Sequence, residues 1–342
     1  MSKVRWGLLS TASIGRVVTA ATRQAQHAEF VAVASRDAAR ARQFADELGL
    51  AASFGSYEEL LASDAVDAVY VALPVSMHTE WTIKSLEAGK HVLCEKPFAI
   101  GPEDAARCFD AASSAGRLSA EGLMYRHHPQ TALARKLVAD GTIGPLAHVR
   151  AALSVSVAKG DIRRSVELGG GALLDLGCYC VSAIRLFADE PERVYAEQVR
   201  DGTDGVDLRF AATARMRHDV QAQFDTGLDL PRRDELELIG TDGRLTIPDP
   251  WLCRSGFIEL ERDGATERLP VDPAGAFGLT QDERDAYRIE FDAVSAAITG
   301  GPQSSFGRED AIDQATVLQA LRRSSEQRSP IELPAPRQLP AT

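Results

Sequence analysis

Residues 4–15, VRWGLLSTASIG, decide the fold. The apolar run at 4–9 is typical of a buried strand, and the amphipathic pattern after it predicts a helix. In a dinucleotide fingerprint, three small residues at such a turn let the backbone approach a pyrophosphate at the helix N-terminus. Those positions hold Ser10, Ala12 and Gly15, of which only the last is glycine. We therefore predict a dinucleotide-binding turn, with a plain tight turn as the alternative.

The same alternation of strands and helices continues to residue 122. The pattern predicts strands at 4–9, 30–34, 68–71, 91–94 and 118–121, and helices at 14–26, 38–48, 78–88 and 102–115. Near-continuous apolar runs such as 69–72 are typical of a parallel sheet that is buried on both faces. We therefore predict an α/β fold in which residues 1–122 form a doubly wound Rossmann domain that binds the cofactor.

The pattern changes after residue 123. Helices are predicted at 129–140, 171–187, 282–299 and 308–323, and strands at 147–157, 235–239, 244–247, 256–262 and 266–269. Turn residues at 240–243 join two of these strands into a hairpin. We therefore predict that 123–342 form an α+β domain with an antiparallel sheet and helices on one side, followed by a proline-rich tail from Pro330.

Composition excludes several classes of partner. The chain has 342 residues, and 49 acidic against 38 basic residues give a formal net charge of −11. An acidic surface repels phosphate backbones and anionic lipid, so we expect neither nucleic acid nor a membrane as partner. No apolar stretch approaches the length of a membrane span. The 5 cysteines lack metal-finger spacing, which favours reduced thiols in a cytoplasmic protein without a metal site.

The end of the second strand indicates which dinucleotide binds. An NAD site usually has a carboxylate there, which bonds the ribose 2′-hydroxyl. This chain has Ser35 and Arg36, a hydroxyl and a guanidinium that suit a 2′-phosphate. We predict NADP as the cofactor, the alternative being that Arg36 is only a solvated surface residue. The following Asp37 is predicted to be the N-cap of the next helix.

A charged pair follows the strand at 91–94. In open α/β sheets ligands bind at the carboxyl ends of the strands, where Glu95 and Lys96 fall. A lysine whose pKa is lowered by desolvation and nearby charge can act as an acid or base. Pro97 fixes the turn that presents it. We predict a catalytic role for Lys96, the alternative being an exposed pair on a loop.

Three glycines open the helix that carries the next candidates. They stand at 169–171, and Asp175 and Tyr179 follow with a spacing that puts both on one helical face. We predict that this face points a carboxylate and a phenol into a site, the alternative being a buried structural hydrogen bond. His127 and His128 are ambiguous, because they either contact substrate or cap the helix after them.

Two of these motifs together resemble the glucose–fructose oxidoreductase / inositol dehydrogenase (Gfo/Idh/MocA) family of NAD(P)-dependent enzymes. They are Glu95-Lys96-Pro97 and the glycine-opened helix at 169–179, and the resemblance extends over nearly the whole chain. It implies a second domain with a large open, mostly antiparallel sheet that makes a dimer or tetramer. It implies catalytic roles for Lys96, Asp175 and Tyr179. The cofactor contacts that it implies are Ser10, Thr11, Ala12, Ile14, Gly15, Ser35, Arg36, Leu73, Pro74, His78, Glu95, Lys96 and Arg163.

Some positions resemble one branch of the family. Many members have histidine where this chain has Tyr179, whereas tyrosine resembles the branch of dihydrodiol dehydrogenase, NADP-dependent D-xylose dehydrogenase and deoxysugar ketoreductases. The turn at 10–12 and the segments 121–125 and 160–163 resemble the same branch. Val75 stands where asparagine often follows the proline of the family, which changes one cofactor contact.

The expected function is that of an NADP(H)-dependent oxidoreductase. Hydride is expected to pass between C4 of the nicotinamide and the carbinol or carbonyl carbon of a sugar or cyclic alcohol. Lys96 or Tyr179 would move the hydroxyl proton, and Asp175 would orient the substrate. Two alternatives remain: an NADP-binding sensor without turnover, and an enzyme that holds its cofactor tightly through two half-reactions. The substrate is left open between a free sugar and a nucleotide-linked ketosugar.

Overall fold

A parallel sheet with flanking helices forms the first part of the chain. The computed structural model describes residues 2–203 and 205–334, which divide into two units. The first unit contains the described residues 2–129, 252–254 and 275–315. Its strands are β1 (Val4–Leu9), β2 (Ala28–Ala34), β3 (Ala52–Phe54), β4 (Ala68–Val71), β5 (His91–Glu95) and β6 (Ser119–Gly122). Its first helices are α1 (Ile14–Thr22), α2 (Ala38–Leu48), α3 (Tyr57–Leu61), α4 (His78–Glu87) and α5 (Pro102–Ala115).

The strand order of this sheet is that of a dinucleotide-binding fold. All its strands pair in parallel in the order β3-β2-β1-β4-β5-β6. The order reverses between β1 and β4, and ligands of such sheets bind in the crevice beyond the strand ends at that point. Leu8, Val69 and Val71 are fully buried, as the continuous apolar runs predict. The predicted Rossmann fold is therefore confirmed.

Some elements of this unit differ from their predicted bounds. The first helix ends at Thr22 rather than at 26, and the chain turns before β2 begins at Ala28. The short elements β3 and α3 were not predicted. Ser56 caps α3 by accepting a hydrogen bond from the Glu59 amide at 3.2 Å. Three to five residues give too little periodicity to indicate a strand or a helix.

A broad sheet forms the second unit. It contains the described residues 130–203, 205–251, 255–274 and 316–334. Its helices are α6 (Pro129–Ala139) and α7 (Cys178–Ala188), the latter preceded by a π-helical turn at Leu173–Gly177. Its strands are β7 (Leu146–Ser156), β8 (Pro191–Arg200), β9 (Asp207–Met216), β10 (Gln221–Gly227), β11 (Asp229–Gly240), β12 (Gly243–Thr246), β13 (Phe257–Arg262), β14 (Ala265–Pro270) and β15 (Ile331–Glu332).

The pairing of these strands confirms the predicted mostly antiparallel sheet. Their order over the described residues is β14-β13-β12-β11-β7-β10-β9-β8-β15. Every neighbouring pair is antiparallel except β7 and β10, which run parallel. The predicted hairpin between β11 and β12 is present, with Leu238 opposite Leu245. The predicted helix at 171–187 instead begins with the π-helical turn and becomes α-helical at Cys178.

The two units do not follow the single boundary predicted between 122 and 123. The helix α8 (Glu283–Ile298) belongs to the first unit, and α9 (Arg308–Gln327) follows it. Phe291 of α8 packs against Trp6 and Phe30, with ring centroids 5.0 and 5.1 Å away. This aromatic cluster explains why a segment so late in the chain belongs to the parallel-sheet unit. The last part of the predicted proline-rich tail, 335–342, lies outside the described residues.

Candidate active site

The first strand–helix turn has the geometry of a dinucleotide site. Ser10 has φ 136°, a region that favours glycine. Its hydroxyl donates to the Ala72 carbonyl at 2.6 Å and accepts from the Ala12 amide at 3.1 Å. The serine therefore joins the ends of β1 and β4 at the point where the strand order reverses.

Glycine at position 15 allows the helix to pack closely on the strand. A Cβ there would lie 3.3 Å from Leu8 and from the Phe44 ring, so a larger side chain would push α1 away from the sheet. No side chain caps α1, since Ser13 makes no capping bond. Thr11, Ala12 and Ile14 line this turn, whose backbone amides suit a pyrophosphate. The residues present thus fit a dinucleotide.

The end of β2 presents a cation. Ser35 is 7% exposed, and its hydroxyl accepts from the Asp37 amide at 3.3 Å. Asp37 in turn accepts from the Ala39 and Arg40 amides, which confirms it as the N-cap of α2. Arg36 is exposed, and no ion pair links it to another described residue. A guanidinium in this state suits a phosphate dianion.

The end of β5 carries the predicted lysine. Lys96 precedes a cis peptide bond to Pro97, and its amide donates to the Glu95 carboxylate at 3.1 Å. The Tyr70 hydroxyl of β4 donates to the other carboxylate oxygen of Glu95. Glu95 is therefore held from both sides, which fixes the backbone that presents Lys96.

His78 ties the same turn to the neighbouring strand. Its ring is 1% exposed, with Nδ1 2.9 Å from the Pro97 carbonyl oxygen and Nε2 2.8 Å from the Leu73 carbonyl oxygen. Burial lowers its pKa. Leu73 and Pro74 form the exit from β4 just before the short helical turn at Val75–Met77. Because both ring nitrogens face backbone carbonyls, His78 holds the two strand exits together.

Sequence reasoning missed a buried carboxyl beside this turn. Glu290 of α8 is 1% exposed, and its Oε1 makes no hydrogen bond with a described residue. Burial raises its pKa well above the usual range, and the charges of Glu95 and Glu121 raise it further. Glu121 accepts from the Phe98 amide at 2.9 Å. One sequence feature could have indicated this burial: Glu290 adjoins Phe291 on the buried face of an amphipathic helix.

In the second unit, two of the three glycines let the chain approach neighbouring groups closely. A Cβ on Gly170 would lie 2.4 Å from the Arg163 carbonyl oxygen. A Cβ on Gly171, which has φ 122°, would lie 2.0 Å from the carboxylate of Asp207. That carboxylate accepts from the Leu173 amide at 2.7 Å. Burial raises the pKa of Asp207 to about 6. Asp207, which sequence reasoning missed, thus anchors the start of the helical segment.

Asp175 and Tyr179 lie on that segment. Asp175 falls in the π-helical turn, a conformation that frequently occurs at functional sites, and Tyr179 in the first turn of α7. Tyr179 is 8% exposed, and its ring centroid lies 5.8 Å from that of Trp251. Arg163 pairs with Asp161 at 2.9 Å and is close enough to Asp175 for the carboxylate to raise the guanidinium pKa, after the larger effect of Asp161.

The ambiguous histidines precede α6. His128 is fully buried, and its amide donates to the Tyr125 carbonyl at 3.2 Å. His127 packs edge-on against Phe306 at 6.1 Å, and burial lowers its pKa to about 4. A role for either histidine in binding substrate stays a hypothesis.

Two features are absent from the described residues. No cluster of three His, Cys, Asp or Glu side chains there is placed to hold a metal ion. None of the helices in 2–203 and 205–334 is long and apolar enough to cross a bilayer.

Comparison with known proteins places this geometry in context. Residues 4–123 match the oxidoreductase family with an NAD-binding Rossmann fold, and 131–246 match the GFO/IDH/MocA C-terminal domain. A D-xylose 1-dehydrogenase (NADP(+)) of Haloferax volcanii is 36% identical over 330 residues, covering 96% of this chain and 99% of that protein. A dTDP-3,4-didehydro-2,6-dideoxy-alpha-D-glucose 3-reductase of Saccharopolyspora spinosa is 34% identical, covering 93% and 96%.

A solved structure has the same architecture. KijD10, a 3-ketoreductase from Actinomadura kijaniata crystallised with NADP and TDP-benzene, superposes with a TM-score of 0.84 at 31% identity. The match covers 94% of this chain and 98% of that one. The similarity therefore extends over both units.

Proposed function

Because the chain belongs to the Gfo/Idh/MocA oxidoreductase family, we propose that it is an NADP(H)-dependent sugar dehydrogenase or ketosugar reductase. Membership confirms the resemblance drawn from the sequence. The observation that carries the proposal is the carboxyl edge of the parallel sheet, where Ser10, Arg36 and Lys96 follow β1, β2 and β5. A phosphate-binding turn, a cation and an acid–base group thus leave one edge of one sheet.

Each cofactor-side residue has a specific task in this proposal. The turn at 10–15 receives the pyrophosphate, and Ser35 and Arg36 receive the 2′-phosphate. Leu73, Pro74 and Glu95 line the strand exits that His78 and Tyr70 hold in place. The bound cofactor supplies or accepts the hydride at C4 of its nicotinamide. The name of the xylose dehydrogenase includes NADP(+), and KijD10 was crystallised with NADP, which supports this choice of cofactor.

The remaining residues move a proton and orient the substrate. We assign the transfer of the hydroxyl proton to Lys96 or Tyr179. Asp175 orients the substrate hydroxyl, and Arg163 contributes a positive charge near that carboxylate. Tyr179 is fixed for this task by its packing against Trp251.

The substrate class is a sugar or cyclic alcohol. Its two leading forms are a free aldose, as the name of the Haloferax relative indicates, and a nucleotide-linked ketosugar, as the Saccharopolyspora relative indicates. The test is a turnover panel that follows NADPH absorbance with free aldoses in the oxidising direction and ketosugars in the reducing direction. NADH and NAD serve as matched controls.

The panel distinguishes the enzyme from its alternatives. We expect turnover with at least one substrate and a preference for the phosphorylated cofactor. NADPH binding without turnover on any sugar would contradict the proposal and favour a sensor. Cofactor released only on denaturing the protein would instead identify an enzyme that retains it between half-reactions.

We also propose that the protein is a homo-oligomer that assembles through the broad sheet. One face of that sheet has a depression of about 370 Å³, lined by alanines and Phe224 together with charged side chains such as Arg150 and Arg233. Arg233 pairs there with Glu235 at 3.1 Å. Light scattering is expected to give a mass of two or four chains, and a monomer would contradict the assembly.

We further propose a cytoplasmic location. All cysteines are free thiols, which suits a reducing compartment.

A further inference from the structure

One carboxylate links the backbone of Lys96 to a neighbouring strand. Glu95, the last residue of β5, accepts from the Lys96 amide at 3.1 Å through Oε2. Its Oε1 accepts from the Tyr70 hydroxyl of β4. The first bond involves the backbone that carries the candidate acid–base group, and the second reaches the strand beside it in the sheet. A single hydroxyl is therefore connected, through one side chain, to the position of Lys96.

The register of the sheet brings Tyr70 and Glu95 to the same face. β4 and β5 are parallel, with Tyr70 opposite Leu93. Paired residues share a face of a sheet, and side chains alternate between the faces along a strand. Glu95 comes two residues after Leu93, so its side chain lies on the face that carries Tyr70. The contact between the phenol and the carboxylate therefore follows from strand pairing.

Buried aromatic rings hold the Tyr70 side chain in place. Tyr70 is 1% exposed, and its ring packs edge-on against Phe291 of α8, with centroids 5.4 Å apart and planes at 68°. Phe30 of β2 packs against the same ring at 6.4 Å. The Trp6 indole N–H donates to the Ser295 hydroxyl at 3.0 Å, which ties α8 to the sheet. Because close packing surrounds the ring, its hydroxyl is a donor in a fixed position.

The Tyr70 hydroxyl keeps its proton at physiological pH. Burial raises the pKa of Tyr70 well above its usual range, and the charge of Glu95 raises it further. An ionised carboxylate can only accept hydrogen bonds, so the phenol is the donor of this pair. A hydrogen bond to an ionised group is roughly twice as strong as one between neutral groups. The bond from Tyr70 is therefore a strong restraint on the Glu95 side chain.

We propose that Tyr70 is a positioning residue for the reaction, which acts through Glu95 to hold the Lys96 backbone where the lysine amine reaches the substrate hydroxyl. The inference rests on the proposed function, because it takes Lys96 as an acid–base group. Such placement matters for catalysis, since a misplacement of about 1 Å can lower a rate about 100-fold. Tyr70 is buried beneath the site and has no contact with cofactor or substrate in this proposal.

The test combines steady-state kinetics on a substrate from the turnover panel with fluorescence titration of NADPH. Tyr70→Phe keeps the ring and removes only the hydroxyl. We expect kcat to fall about 5- to 50-fold while the dissociation constant of NADPH stays within about 2-fold of wild type, because the pyrophosphate turn is untouched. In the Lys96→Ala background, the same change should lower kcat by less than about 2-fold, because the group through which Tyr70 acts is already removed.

Val69→Ala is the matched control for a purely structural role. Val69 is fully buried and precedes Tyr70 on β4, so its side chain lies on the opposite face of the sheet. Its loss should lower Tm and leave kcat within about 2-fold of wild type. Glu95→Gln tests the same link from its other end, because an amide offers one oxygen in place of two. Its kcat should fall at least as far as that of Tyr70→Phe, with no further loss when the two changes are combined.

Two results would overturn the inference alone. One is a normal kcat in Tyr70→Phe while Lys96→Ala loses activity; if Tyr70→Phe does not fold, a normal kcat in Glu95→Gln has the same meaning. The other is an equal loss from Tyr70→Phe in the wild-type and Lys96→Ala backgrounds, because the hydroxyl would then act independently of Lys96. A normal kcat in Lys96→Ala, or no turnover of any substrate in the panel, would overturn the proposed function and the inference with it.

Discussion

The two units hold their proposed functional side chains in different ways. In the first, Lys96 directly follows β5 and Arg36 comes two residues after β2, so paired strands and side-chain bonds at their ends fix where both emerge. In the second, Asp175 and Tyr179 lie on a helical segment whose start is fixed by Asp207, a residue far along the chain. We infer that the first group depends mainly on its own strands, whereas the second depends on a long-range anchor. Substitutions remote from the chemistry should therefore affect the second group more.

The largest expected effect tests whether Lys96 acts in chemistry rather than binding. Lys96→Ala should lower kcat roughly 10²–10⁴-fold, the usual contribution of positioned acid–base catalysis. NADP affinity should persist, because the pyrophosphate turn at 10–15 is untouched. Steady-state kinetics with a substrate from the panel, together with cofactor titration, measure both. A near-normal kcat with normal NADP affinity would show that the proposed mechanism is wrong.

Tyr179→Phe extends this test to the second unit. We expect kcat to fall by a similar factor in this variant. A Lys96→Ala/Tyr179→Phe double variant should be little worse than either single variant, because the effects of residues that act in one proton transfer do not add. Fully multiplicative losses would mean that the lysine and the phenol act in separate steps.

The next effect concerns the anchor of the second unit. Burial holds the pKa of Asp207 at about 6, against an ordinary value of 3.8. Because the folded pKa is the higher one, the stability contributed by this group is fully present below about pH 4 and is lost as pH rises through about 6. Asp207→Asn keeps an acceptor for the Leu173 amide but cannot ionise.

The asparagine variant should therefore gain stability relative to wild type as pH rises. We expect the difference in unfolding free energy to change by about 2–3 kcal/mol between about pH 4 and pH 7. Urea unfolding of both proteins across this range measures it. A difference that stays constant with pH would show that Asp207 titrates normally.

A smaller effect is expected from the glycine that faces this carboxylate. Gly171→Ala places a methyl group where the Asp207 oxygen lies, at a φ of 122° that alanine rarely adopts. We expect a loss of about 1–3 kcal/mol, seen as a lower Tm, and a lower kcat from the displaced helical segment. Gly202→Ala is the control, because nothing lies within 4 Å of its added methyl group. Equal Tm values for the two variants would contradict the anchoring role.

Most of the parallel-sheet unit could be predicted from sequence because its signals are local. The bounds of α2, β4 and α5 match the predicted ranges, since apolar runs, caps and glycines mark each of them. Ser35, Arg36 and Lys96 could be placed because fingerprint spacing and strand ends fix them. The contact of Tyr70 with Glu95 and the burial of Glu290 could not, because each depends on packing between elements that are distant in sequence.

The second unit was less predictable for the same physical reason. Long strands such as β8 and β9 are half-exposed, so their hydrophobic pattern is weaker than that of β4. The π-helical turn depends on the contacts of Gly171 and Leu173 with Asp207, which no local motif indicates. The assignment of α8 to the first unit follows from an aromatic cluster rather than from chain order.

The most direct test of the account follows the hydride itself. A single turnover with NADPH deuterated at C4 on the transferable face and a ketosugar from the panel should place one deuterium on the new carbinol carbon, as measured by mass spectrometry and NMR. The NADH analogue should react far more slowly. A product without deuterium on that carbon, or one that takes up deuterium only from heavy water, would contradict hydride transfer between nicotinamide and sugar.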